Sequence, residues 1–322
     1  MAKTKKKLTN RGTIHERAEA RREIGRLKDQ RLRPTTLLRY CNCITLFINW
    51  LEQGSTLIPG QPEQWDACIS DYAEHLWEAG QGMQFLGDLL SGLPHFMPRL
   101  RGCLKESWKI YGTWKTLELP MRAVPFSPKV LLAMVGAALM DDDWSQAAAY
   151  LVGYMCMLRT GELVGLRWGD LSFHKSPQRL VVSLGTTKGG QRRGIPNETV
   201  ITDDVATIQF LAAIHRGRVK GDILVGKSPQ HFRKTFKEHL EKLHLNDIHY
   251  FPYSLRRGGA TSQFRATNNL AWVTVQGRWA SQATARIYIN DGMSAVAEQS
   301  FPLKATKAIA LHSGLALDVL NF

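Results

Sequence analysis

The stretch YSLRRGGATS (Tyr253–Ser262) sets two adjacent arginines in front of two adjacent glycines. Pro252 precedes it, Ser254 is a candidate helix cap, and the residues that follow keep helical character. An arginine in a first helical turn sits where unpaired N–H groups already attract anions. Gly258 and Gly259 lack a Cβ, so a neighbouring backbone can approach closely there. Arg256 and Arg257 are therefore either solvated surface charge or the wall of an anion site, and the rest of the chain has to decide.

Three other stretches bear on that choice. Upstream, MLRTGELVGLRWGDL (Met157–Leu171) places Arg159 directly after an apolar helix, with Glu162 three residues on. An arginine at the end of a buried helix needs a partner or a ligand. An ordinary Arg159–Glu162 surface pair is one reading; a guanidinium aimed at a phosphate and oriented by Glu162 is the other. Between the two, GTTKGGQRRGIP (Gly185–Pro196) puts Lys188 in a turn beside Arg192 and Arg193. Such a tip is either solvated charge or a lysine that a mobile turn delivers to a leaving oxygen. Downstream, VQGRWASQATARIYIND (Val275–Asp291) carries Gly277-Arg278-Trp279 and, nine residues after the tryptophan, Tyr288. Taken alone, a tyrosine between apolar neighbours is usually core.

The 322-residue chain carries a formal charge of +14, which points to a polyanionic partner. Residues 1–34 hold twelve Lys or Arg against four Asp or Glu and lack the apolar run of a secretory signal. They read as a basic, flexible arm, with KTKKK a candidate nuclear-import signal. The five cysteines read as buried, reduced thiols, which suits an intracellular protein. No apolar run reaches membrane-spanning length, no Cys/His spacing suggests zinc, and no glycine-rich phosphate loop suggests a nucleotide.

Helical periodicity dominates the first part. TTLLRYCNCITLFINWLEQG sets Leu37, Tyr40/Cys41, Ile44, Phe47/Ile48 and Leu51 on one face, with Gly54 as the stop, and QWDACISDYAEHLWEAG repeats the pattern. Further helices are expected within 82–116, broken near Pro94 and Pro98. Residues 35–117 form a helical domain, 118–127 a proline-stiffened linker, and 128–322 a mixed domain with a C-terminal tail. In the mixed domain, Ser127 and Pro128 open a helix, 179–201 reads as a hairpin or short sheet, and Thr202 caps a return to helices. The predicted fold is mainly α with a small antiparallel β-sheet: a helical bundle followed by a mixed α+β domain.

Arg-x-x-Glu, Lys in a β-turn, an arginine box, Gly-x-Trp and Tyr, in that order, resemble the tyrosine recombinase (phage integrase) family, particularly the versions carried by eukaryotic mobile elements. The first box of that family, Gly-Leu-Arg-x-x-Glu-Leu, is similar to Met157–Leu163. The second, His-x-Leu-Arg followed by His or Lys, is similar to Tyr253–Arg257, and the Gly-x-Trp element to Gly277–Trp279. The resemblance covers residues 145–292 in detail and the whole chain in layout, and it implies that 35–117 is a helical core-binding (DNA-binding) domain and 128–322 the tyrosine-recombinase catalytic domain. It implies a site-specific recombinase or integrase that cleaves and rejoins DNA through a 3′-phosphotyrosine, without metal, ATP or other cofactor. Tyr288 is then the nucleophile, Arg159 and Arg256 the phosphate clamp, Lys188 the general acid, Trp279 an indole donor and Glu162 the orienting carboxylate. Arg192, Arg193, Arg257 and Arg278 are the expected DNA-backbone contacts. The implied partners are double-stranded DNA, gripped in a C-shaped clamp, and further copies of the chain in a tetrameric synapse. The implied location is with DNA inside the cell, the nucleus or the bacterial nucleoid, and the apolar tail docks on a neighbour or folds back. The sequence departs from the pattern at Tyr253, where the family has histidine. Tyrosine can donate one hydrogen bond to a phosphate oxygen, but its ordinary pKa of about 10 makes it a poor base at neutral pH. A type IB topoisomerase-like enzyme and a catalytically weakened DNA-binding relative are the two alternatives.

Overall fold

The computed structural model describes residues 12–320 apart from 177, 188, 191–193 and 196. The chain divides into two compact units, Met1–Pro120 and Met121–Phe322.

The first unit is built from α1 (Ile14–Ile24), α2 (Pro34–Gln53), α3 (Pro62–Glu78), α4 (Gln84–Phe96) and α5 (Lys105–Leu117). The basic arm expected over residues 1–34 includes α1, which a Thr13–Glu16 capping box starts and which buries none of its side chains. Pro34 opens α2 and Gly54 ends it. Phe47, Leu51, Trp65, Ile69, Leu86, Leu89, Leu90 and Leu93 form the core, one apolar stripe from each of three helices. Pro94 does not break α4 as expected. It falls in the last turn, where few helical bonds remain to be lost, and the helix runs on to Phe96. The start of α5 is capped from outside: Asp66 of α3 accepts from the Glu106 and Ser107 N–H groups, both at 2.9 Å.

In the second unit, α6 (Pro128–Met140) and α7 (Trp144–Met155) are apolar nearly all round and lie at the centre of the core. Ser127 caps α6 by accepting from the Val130 N–H at 3.3 Å. After α8 (Thr160–Leu163) come β1 (Leu171–Lys175), β2 (Gln178–Gly185) and β3 (Glu198–Thr202), an antiparallel sheet in that order. Leu171 pairs with Val182 and Val182 with Val200, which puts the apolar positions on the inner face. The hairpin over 179–201 is therefore the second half of a three-stranded sheet. After the sheet, the described residues form α9 (Val205–His215), α10 (Pro229–Lys242), α11 (Tyr253–Thr267), α12 (Leu270–Gln276), α13 (Gln282–Arg286), α14 (Asp291–Gln299) and α15 (Leu303–Leu320).

Three further expectations change. Asp204, not Thr202, caps α9, because its carboxylate reaches the Thr207 N–H at 2.9 Å. The expected linker is only half a linker: Val124 and Phe126 are buried, and their N–H groups bond to the carbonyls of His249 and Ser254. Of the five cysteines expected to be buried, only Cys43 and Cys156 are; Cys41, on the outward face of α2, is exposed, and Cys68 and Cys103 are half-buried. The C-terminal helix α15 packs on α6 of its own unit. The fit is so close that a Cβ on Gly136 would lie 1.9 Å from the His312 carbonyl oxygen. Of the tail residues read as apolar, Phe322 lies outside the described residues. Among the described residues no helix is long and apolar enough to cross a membrane.

Candidate active site

The site is organised by α11. Its first residue is Tyr253, with Pro252 in the cap position, so Ser254 is not the cap expected from sequence. Ser254 is buried in the first turn and accepts from the Phe251 N–H at 3.1 Å. Everything from Ser254 to Thr261 is buried, Arg256 and Arg257 included. The glycines account for this. A Cβ on Gly258 would lie 2.3 Å from the Phe126 carbonyl oxygen, and one on Gly259 would lie 2.1 Å from that of Tyr154. Only a bare backbone lets α11 press against α7 and the 124–126 segment. That approach carries the Arg256 side chain under the end of α7.

Arg256 is held by the ends of two helices built alike. At the end of α7 the Leu158 and Met157 N–H groups bond to Gly153 and Tyr154 carbonyls at 3.0 and 3.1 Å, with Met157 in the left-handed region at φ 46°. At the end of α12 the Trp279 and Arg278 N–H groups bond to Thr274 and Val275 carbonyls, both at 3.0 Å, with Arg278 at φ 57°. Both are Schellman ends, which ordinarily place glycine at the left-handed position. A longer side chain there costs about 1 kcal/mol, and such strain collects at functional sites. Each end delivers a carbonyl to Arg256: Met157 accepts from Nη1, and Gly277 accepts from Nη2 at 2.7 Å. Gly277 must be small because the Trp279 ring folds back over it; a Cβ would fall 1.7 Å from a ring carbon. This is the physical content of the Gly-x-Trp element.

Glu162 ties two more guanidinium groups to the site. Its carboxylate accepts from the Arg159 N–H at 2.8 Å and from Arg159 Nη1 at 2.6 Å. It also accepts from Arg278 Nη2 at 2.8 Å. Burial alone would raise the Glu162 pKa, but Arg278 and the hydrogen bonds from Arg159 outweigh it and hold the carboxyl below its ordinary value. Burial, with repulsion from Arg159 and Arg278, pushes Arg256 down to about 10, which leaves it charged at neutral pH. Three guanidinium groups around one carboxylate leave a strongly positive pocket.

Two tyrosines close it. The Tyr253 hydroxyl donates to the Tyr288 hydroxyl oxygen at 2.7 Å. Tyr288 follows α13, its N–H bonded to the Ala285 carbonyl at 2.9 Å. Its ring lies 4.7 Å from that of Trp279 and 5.4 Å from the Arg256 guanidinium carbon, which itself sits 4.4 Å from the Trp279 ring. The buried Trp279 Nε1 has no hydrogen bond of normal geometry, yet it lies near enough to help stabilise a Tyr288 phenolate. Burial pushes the Tyr288 pKa up. Donation from Tyr253 and the indole, with the charges of Arg256 and Arg159, more than offsets this and leaves it below its ordinary value. Tyr253 moves the other way, pushed up to about 12 by burial and by its bond to Tyr288.

Arg159, Glu162, Tyr253, Arg256, Trp279 and Tyr288 thus come together. Lys188, Arg192 and Arg193 lie outside the described residues, in the connection between β2 and β3. Arg257 and Arg278, read from sequence as DNA-backbone contacts, are both buried. Arg278 belongs to the Glu162 network, which sequence reasoning missed; a charged residue between Gly277 and Trp279 was its only signal. Arg257 Nε makes no hydrogen bond, and burial and the nearby Arg122 lower its pKa. Among the described residues no group of three or more His, Cys, Asp or Glu side chains could hold a metal.

The arrangement offers an acidified hydroxyl facing a preformed cationic hole, the apparatus of attack on a phosphodiester. Comparison with known proteins gives the same direction. The model of the phage integrase family matches residues 127–294. Among solved structures, the chain is similar to lambda integrase (75–356) in a dimer bound to a COC′ core site, at 12% identity, covering 87% of this chain and 96% of that one with a TM-score of 0.55. It is similar to the Tn1549 transposon integrase in complex with transposon right end DNA, at 14% identity, with 88% and 96% covered and a TM-score of 0.53. It is also similar to XerH site-specific recombinase bound to palindromic difH substrate in a post-cleavage complex, at 15% identity, with 78% and 74% covered and a TM-score of 0.51. At such identities the likeness is one of fold. No curated protein matches the sequence at a significant level.

Proposed function

The chain belongs to the phage integrase family, the tyrosine recombinases that cut and rejoin DNA, and from that premise we propose that Tyr288 is its nucleophile and that Arg159 and Arg256 clamp the scissile phosphate. The Tyr288 oxygen attacks phosphorus, the phosphorus becomes five-coordinate, and the bond to the 5′ oxygen breaks. The product is a 3′-phosphotyrosine, and a second 5′-hydroxyl reverses the step because the covalent link conserves the bond energy. The five-coordinate phosphorus carries one more negative charge than the diester, and the pocket's excess positive charge stabilises it preferentially. Lys188, carried on the β2–β3 connection, protonates the departing oxygen. Arg192 and Arg193 on the same connection hold the DNA backbone.

The observation that carries this reading is the gathering of Arg159, Arg256 and Trp279 around Tyr288 from three separate stretches of chain. The substrate is double-stranded DNA, as in the complexes of the structural neighbours, and the working form is a tetramer with two duplexes. Neither alternative is favoured: the matching family and the neighbours in fold are recombinases and integrases.

The test uses nicked suicide duplexes enriched for binding from a randomised pool. A wild-type adduct stable on denaturing gels is expected, with none from Tyr288→Phe. An undiminished adduct in that variant, or none from the wild type across the pool, overturns the assignment. Mixing two labelled duplexes should yield recombinant strands.

A further inference from the structure

Tyr253 takes the place of a histidine in the resemblance, and a phosphate contact was its expected role. The geometry gives it a different one. Its hydroxyl is within 2.7 Å of the Tyr288 hydroxyl, and it is the donor. The rings lie 5.7 Å apart. Tyr253 opens α11, three residues before Arg256, so the helix that fixes the arginine fixes this donor as well. Tyr288 is held on its other side by its backbone: its carbonyl accepts from Thr261 of the same helix at 3.5 Å, and Thr261 also accepts from the Asn290 N–H at 3.2 Å. The short contact is thus set by structure on both partners.

We infer that Tyr253 is a catalytic hydrogen-bond donor to the attacking oxygen of Tyr288, readying it for attack and stabilising it again as the leaving group of rejoining. This rests on the assignment of Tyr288 as nucleophile.

Tyr253 cannot serve as the base. A phenol pushed up to about 12 stays protonated at neutral pH, so it gives a hydrogen bond and takes no proton. The proton of Tyr288 leaves to solvent before attack. The phenolate so formed is stabilised by the Tyr253 O–H, a charge-assisted bond stronger than one between neutral groups. The oxygen–phosphorus bond then forms, the bond to the 5′ oxygen breaks, and that oxygen takes a proton from Lys188 or water. Once esterified, the Tyr288 oxygen is a poor acceptor, and the Tyr253 hydroxyl is released beside the phosphate that Arg159 and Arg256 hold. In rejoining, the events run backwards and Tyr253 donates to the departing phenolate. The charged and titratable groups facing Tyr288 are Tyr253, Arg256 and Arg257 from α11 and Arg159 from the end of α7, with Glu162 facing Arg256. The cations lower the Tyr288 pKa by charge alone; Tyr253 does so by a directional bond, which phenylalanine removes without altering any charge at neutral pH.

Two measurements on the full chain separate this from a structural role. In DNA-free protein with tyrosine labelled at the ring carbon bearing the hydroxyl, carbon NMR reads the Tyr288 titration, assigned by its loss in Tyr288→Phe. The wild-type midpoint is expected below the ordinary value of about 10. In Tyr253→Phe it should rise by about one unit or more. Tyr253→His, which can present a neutral ring N–H, should keep most of the shift. Single-turnover adduct formation then gives the second reading. A rise of one unit means about tenfold less phenolate at neutral pH, and so about a tenfold slower adduct in Tyr253→Phe. That deficit should shrink as pH rises toward the new midpoint. An unchanged Tyr288 midpoint in Tyr253→Phe, or a deficit constant with pH, overturns the inference. A wild type that forms no adduct overturns the nucleophile assignment instead, while the titration still judges the pair of hydroxyls.

Discussion

The first unit buries no charged side chain among its described residues; its one buried polar residue is Ser107, bonded to Asp66. The second buries Arg256, Arg257 and Arg278, all within reach of one helix and one hairpin-like pair of helix ends. Moving a guanidinium out of water is expensive unless its N–H groups are met, and a protein that needed only stability would fill that volume with apolar side chains. The contrast separates two kinds of work. Holding DNA by its backbone can be done with exposed charge at almost no cost to folding. Stabilising an extra charge on a reacting phosphorus requires donors already fixed and already dry. Among the described residues, fixed and buried guanidinium groups of the latter kind occur in the second unit and not in the first.

The contrast can be tested from the largest effect downward. Arg256→Lys keeps the charge but has no fork to span the Met157 and Gly277 carbonyls. Adduct formation from suicide substrate is expected to fall by about 10²–10³, the usual loss for one preorganised donor. A fall below threefold would mean that buried geometry adds little to bare charge. Glu162→Gln comes next. It leaves Arg159 and Arg278 without their carboxylate and should destabilise the second unit by about 3 kcal/mol, read by denaturant unfolding. The effect has a pH signature. A carboxyl whose folded pKa is depressed contributes stability that is present above its unfolded value of about 4.3 and is lost as pH falls through the folded value. The wild type should lose stability across that acid window and Glu162→Gln should show less of that loss. Asp88→Asn, in the first unit, is the smallest. It removes the partner of Arg39, whose side chain is 62% exposed, and should cost well under about 1 kcal/mol. A cost equal to that of Glu162→Gln would erase the distinction between the units.

Much of this was legible in sequence, for identifiable reasons. Arg159, Glu162, Arg256, Trp279 and Tyr288 stand in an ordered series, and the order survives because each sits at the end of a helix that the apolar pattern reveals. The glycine pair was readable because close backbone contact leaves few other choices. Arg278 was not readable. Its partner Glu162 lies 116 positions away, and its left-handed conformation is normally announced by glycine, which is absent there and at Met157. The strand β1 was missed because LSFHK alternates over only four residues, Leu171 to His174, too short a run to stand out from a turn. The meeting of Tyr253 with Tyr288 had no local signal at all; it depends on how α11 sits against the segment after α13, which Thr261 ties to Tyr288 and Asn290.

The two carbonyls that receive Arg256 have one more property. Each lies at the carboxyl end of a helix, where the aligned peptide dipoles concentrate partial negative charge. The cation is thus compensated by backbone, and among the described residues it forms no ion pair with a carboxylate. On the proposed reading, a phosphate arriving at Arg256 has no resident carboxylate to displace, whereas Arg159 already shares Glu162. Arg256 thus keeps its positive charge uncompensated by any carboxylate bond in the empty pocket, even while Glu162 occupies its neighbours Arg159 and Arg278.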